Sequence, residues 1–151
     1  PGRAEGTGAL LLALARGRLP LALDSRLSIV DIRDCAAGLV AAARHGEAGG
    51  RYLLSGFDLP LAEVAEQLRS LAGRPGRSPW LLDPRWLEGP VRWLWSVAPG
   101  RLRLCPETLA NLRHGARYDG AGAARALGLR YRPAQETLAD LVSWFKATGR
   151  L

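Results

Sequence analysis

The segment Ser28–Arg44 constrains the fold most, because it joins a strand directly to a helix. Ile29, Val30 and Ile32 are apolar around the polar Asp31, the alternation of a short strand. Asp34 stands where the following helix needs an N-cap. Its carboxylate can accept the free N–H groups of the first turn and meets the positive end of the helix dipole. Behind it, Cys35–Arg44 is small and apolar, and helical spacing puts Ala36, Leu39, Val40 and Ala43 on one face. Side chains that small predict close approach to a sheet.

Other segments extend the pattern. Gly6 to Arg16 reads as a helix with Leu10, Leu11 and Leu14 on one face and Gly17 as its stop. Leu19 to Leu23 reads as a short strand, Arg51 to Ser55 as a buried strand ending at Gly56, and Arg77 to Leu82 as another short strand. Pro60 opens a helix in which Leu61, Val64, Ala65 and Leu68 share a face and Gly73 ends the run. Pro84 to Val97 is an aromatic-rich helix interrupted by Pro90, and Pro106 to Leu112 a short helical segment. Ala121 to Leu127 is closed by Gly128, and a last helix from about Gln135 to Ala147 turns Leu138, Leu141, Val142 and Phe145 inward. The class is α/β, helix-rich with a few short strands. Arg51–Ser55 has the continuous apolar character of a parallel strand covered on both faces, yet few partner strands accompany it. That mismatch favours an incomplete fold.

The 151 residues are enough for one domain with a core, and residues 1–151 are read as a single segment. The longest apolar stretch, Ala9 to Ala15, is too short to cross a bilayer. No secretion signal opens the chain, and its start at Pro1-Gly2 suggests processing or a fragment. The formal net charge is +7, with Lys146 the only lysine among 21 basic residues. The arginines are scattered singly, which reads as a solvated surface rather than a nucleic-acid footprint. Cys35 and Cys105 form no CxxC pair and read as reduced, buried residues of a cytoplasmic protein.

Chemistry-bearing motifs are missing. A dinucleotide fingerprint needs three spaced glycines between strand and helix, so that the backbone can approach the pyrophosphate. Gly6-Thr-Gly8 and Gly120-Ala-Gly122 each lack the third and read as turn or cap glycines. None of Tyr52, Tyr118 and Tyr131 has a lysine four residues on, so no tyrosine–lysine pair with a lowered phenol pKa is present. His45 and His114 lack partners at metal or triad spacing, and His45 reads as a helix C-terminal cap. Asp31 and Asp34 suggest a paired-carboxylate site, but an N-cap and a strand-end residue account for them. No catalytic or metal-binding residue is assigned.

The order of the segments resembles the carboxy-terminal half of the extended short-chain dehydrogenase/reductases, the NAD-dependent epimerase/dehydratase family. Pro1-Gly2 is similar to the end of that family's glycine-proline-glycine loop, and Leu27–Asp34 to its strand before an aspartate-capped helix. Arg51–Gly56 is similar to its late strand, and Leu61–Gly73 to the next helix, with Pro60 in place of the usual threonine or serine cap. Tyr118–Gly128 is similar to its aspartate–small–alanine–leucine-glycine turn and Leu138–Phe145 to its closing helix.

The resemblance implies a Rossmann-type enzyme whose dinucleotide-binding half, with the catalytic tyrosine and lysine, precedes Pro1. This segment would be its substrate-binding portion, inactive alone. NAD or NADP would serve the complete enzyme and none would bind this segment by itself. Pro1 and Gly2 would pass near the cofactor; Arg3, Arg26, Ser28, Trp86 and Trp93 would face the substrate. The arginine that grips a diphosphate in sugar-nucleotide epimerases is replaced by Leu27, with Arg26 one step earlier on the opposite strand face. The similarity therefore lies nearer the dihydroflavonol-reductase-like and hopanoid-associated epimerase-like branch, with more apolar ligands. Trp86, Trp93 and, less well, Trp95 fall at helical spacing, with Trp80 upstream. They could wall an apolar cleft, rest peripherally on a membrane surface, or pack in the core. The partners expected are a small-molecule substrate and the amino-terminal half, without nucleic acid. The alternative is a non-catalytic ligand- or protein-binding module derived from the same family.

Overall fold

The computed structural model describes residues 6–74, 79–97 and 118–151. They form two compact units, Pro1–Arg26 with Pro60–Ala116 and Leu27–Leu59 with Arg117–Leu151. Each unit is therefore assembled from two separate stretches of chain. The helix expected at 106–112 lies outside the described residues.

In the first unit, α1 (Thr7–Ala15) follows Gly6, whose positive φ of 58° suits a residue without Cβ. Leu11, Leu14 and Ala15 are buried. α3 (Leu61–Ala72) packs against α1 through Leu61, Val64, Ala65 and Leu68, the face read from the sequence. It ends in a left-handed Gly73, whose N–H bonds the Ser70 carbonyl at 3.1 Å. β1 (Leu21–Leu23) and β4 (Trp80–Leu82) pair in parallel, Leu21 opposite Trp80 and Leu23 opposite Leu82. α4 (Pro84–Val97) follows at once, with Pro90 inside it.

In the second unit, β2 (Arg26–Ile29) pairs with β3 (Phe57–Pro60). α2 (Ile32–His45), α5 (Ala121–Leu127) and α6 (Ala134–Ala147) supply the helices. Ala123, Leu127, Leu138, Val142 and Phe145 are its buried apolar residues. The turn before α5 forms as its sequence suggests: Asp119 Oδ1 accepts the Ala121 N–H at 2.8 Å, and a left-handed Gly128 closes the helix.

Three expectations need correction. Arg51–Ser55 is not a strand; the ladder begins after Gly56, whose N–H donates to the Ile29 carbonyl at 3.0 Å. The apolar run packs against helices instead, Leu54 entering the space that Gly38 leaves on α2 and the Ser55 backbone lying against Gly120. Asp34 is not the N-cap. Asp31 is, because its extended backbone (φ −64°, ψ 138°) starts the helix at Ile32. Finally, the Ala36, Leu39, Val40 and Ala43 face is not buried: Leu39 is 64% and Val40 50% exposed. α2 approaches its neighbours through Gly38, where an added Cβ would lie 2.7 Å from Leu54 Cδ1 and 3.3 Å from Leu129 Cδ1. The smallest residue decided the packing face, ahead of the apolar ones.

Candidate functional site

The densest polar constellation among the described residues joins the N-termini of α2 and α6. Asp31 Oδ1 accepts the Arg33 backbone N–H and the Arg33 Nε, both at 2.9 Å. Its Oδ2 accepts Arg33 Nη2 at 2.8 Å and the Thr137 hydroxyl at 3.0 Å. Arg33 Nη2 also reaches Asp140 Oδ2 at 2.6 Å. Asp34, buried at the next turn, accepts the Arg132 backbone N–H at 2.7 Å and pairs with the Arg132 guanidinium. Arg132 Nε in turn meets Glu136 Oε1 at 3.2 Å.

The electrostatics follow from this geometry. Hydrogen bonds from Arg33 hold the Asp31 carboxyl well below the usual carboxylate range, outweighing the opposing effect of burial. Asp31 and Asp140 hold Arg33 firmly protonated. Both buried carboxylates thus have guanidinium partners, and Asp31, held ionised by Arg33, is poorly suited to shuttle protons near neutrality. The constellation clamps two helices together. Sequence reading singled out Asp31 and Asp34 but missed Arg132, Thr137 and Asp140, whose separation of 98 to 107 positions leaves no local signal.

The residues expected at a ligand site fall as follows. Pro1, Gly2 and Arg3 lie outside the described residues. Arg26 and Ser28 are half-buried on β2, and the Ser28 hydroxyl donates to Asp58 Oδ1 of β3 at 3.1 Å. Trp86 and Trp93, on α4, are 80% and 68% exposed. Core packing therefore does not explain either ring. Two open depressions accompany these elements. One, of 390 Å³ in the first unit, is lined by Asp24, Asp83, Pro84 and Arg85. The other, of 480 Å³ in the second unit, lies along α2, with Ala37, Val40, Ala41 and Leu127 on its walls and Arg44 and His45 among its lining.

None of the three tyrosines is set up as a proton donor. The Tyr52 hydroxyl accepts the Glu47 N–H at 2.8 Å, Tyr118 is exposed, and Tyr131 donates to the Gly120 carbonyl at 3.3 Å. Burial pushes the Tyr131 phenol up, the wrong direction for acid–base work near neutrality. At Gly120, the residue before α5, the space is taken by the Ser55 carbonyl, 2.0 Å from where a Cβ would be. Among the described residues no three His, Cys, Asp or Glu side chains could hold a metal ion, and no helix is long and apolar enough to cross a membrane.

Comparison with known proteins places this geometry in context. No family model matches the chain. It is 28% identical over 151 residues to a putative dihydroflavonol 4-reductase of Synechocystis, covering 95% of this chain and 43% of the relative. It is 27% identical to sterol demethylase protein B of Methylococcus capsulatus, covering 95% and 45%. The chain thus spans less than half the length of the curated relatives it matches. Among solved structures, gox2253 superposes with a TM-score of 0.81 at 28% identity, over 97% of this chain and 45% of the other. A nucleoside-diphosphate-sugar epimerase from Pseudomonas aeruginosa gives 0.72 at 25% identity, over 97% and 44%. The Bordetella bronchiseptica enzyme WbmF, solved with NAD+ and UDP, shares the fold alone, with a TM-score of 0.59 at 20% identity over 95% and 37%. In sequence and in fold, this chain resembles the carboxy-terminal portion of the extended short-chain dehydrogenase/reductases, alongside their dihydroflavonol-reductase-like and epimerase-like members.

Proposed function

We propose that this chain is the substrate-binding portion of an NAD(P)-dependent cytoplasmic oxidoreductase or epimerase acting on a hydroxyl- or keto-bearing carbon. One observation supports the reading above others. The chain matches under half of each relative, while α2 leaves Ile32, Leu39 and Val40 open, 83%, 64% and 50% exposed. An apolar face of that kind is suited to an amino-terminal half carrying the dinucleotide loop and the tyrosine–lysine pair. In this reading Pro1 and Gly2 lie near the cofactor, and Arg3, Arg26 and Ser28 orient the polar end of the substrate. That contribution is positioning, which lowers the barrier without the segment touching the transferred hydride. Trp86 and Trp93 supply apolar contact surface.

The purified chain is expected to show no turnover of NADH or NADPH with hydroxy or keto substrates, and turnover would overturn the reading. Codons ahead of Pro1 encoding a glycine-rich strand–turn–helix and a tyrosine–lysine pair would support it. An in-frame stop there would favour the alternative, a non-catalytic ligand- or protein-binding module of the same descent.

A further inference from the structure

We draw no further inference here: the strongest candidate, the open 480 Å³ depression along α2 in the second unit, with Ala37, Val40, Ala41 and Leu127 on its walls and Arg44 and His45 at the C-terminal end of the helix, borders the face already proposed for the amino-terminal half, and nothing in the structure shows what fills it.

Discussion

At the scale of single residues, two contacts carry the sharpest consequences. Asp31 caps α2 and holds Arg33 and Thr137. Because its carboxyl is held below the ordinary range in the folded chain, the unfolded chain binds that proton more readily. The stabilisation is complete above the ordinary carboxylate pKa of about 4 and is lost as the pH falls below it. Asp31→Asn keeps a capping oxygen but loses the charge opposite Arg33. It should cost about 1–3 kcal/mol near neutral pH in urea denaturation, with the gap from the parent narrowing as the solution is acidified. A gap that does not change with pH would remove the assigned role. Gly120 and Gly122 make a second contrast within two positions. A Cβ at Gly120 would collide with the backbone of Ser55, which cannot swing aside as a side chain can, whereas nothing lies within 4 Å of one at Gly122. Gly120→Ala should destabilise by more than about 3 kcal/mol. Gly122→Ala, in an exposed helical position, should stabilise by about 0.5–1 kcal/mol. Equal melting temperatures for the two variants would refute the close approach.

At the scale of elements, burial separates helices that hold the fold from a face that does not. Leu138, Val142 and Phe145 of α6 are at most 2% exposed, and Leu138→Ala or Phe145→Ala should cost about 2–5 kcal/mol. Leu39→Gln with Val40→Gln should stay within about 1 kcal/mol of the parent in the isolated chain, because both side chains are at least half in water. If that pair costs as much as Leu138→Ala, the outward face of α2 is covered. The same division marks what could be read from the sequence. The limits of α3 and the end of α5 were legible because a proline and glycines mark them: Pro60 and Gly73, and Gly128. The inward residues of α3 and α6 followed from helical period. The buried face of α2 was not legible, since periodicity weighs apolar size while close approach at Gly38 depends on the absence of a side chain. Arg51–Ser55 misled for a related reason: an apolar run reports burial without saying whether a strand or a helix covers it. Of the positions read from the sequence as facing a ligand, the outward stripe carrying Trp86 and Trp93 was recognisable as a stripe but not as solvent-facing, because the side that packs is set by Leu87, Val91 and Leu94.

At the scale of the whole molecule, the chain leaves each unit and returns to it, so neither unit is a continuous stretch. In the second unit the buried apolar residues Ala123, Leu127, Leu138, Val142 and Phe145 all come from the later segment. The earlier one contributes buried Asp31, Asp34, Gly38 and Ser55. Its attachment therefore relies heavily on the Asp31–Thr137, Arg33–Asp140 and Asp34–Arg132 contacts and on the fit of Leu54 and Leu129 over Gly38. Segments this short rarely hold a core alone, below about 40 residues. Peptides spanning 27–59 and 117–151 should each show little ordered tertiary structure, and mixing them should raise helical circular dichroism above the sum of the two. Arg132→Gln in the later peptide leaves Asp34 without its guanidinium and should weaken reassociation about tenfold or more. A spectrum of the mixture equal to the sum of its parts would mean that the two segments do not recognise each other without the rest of the chain, and that this polar clamp follows folding rather than directing it.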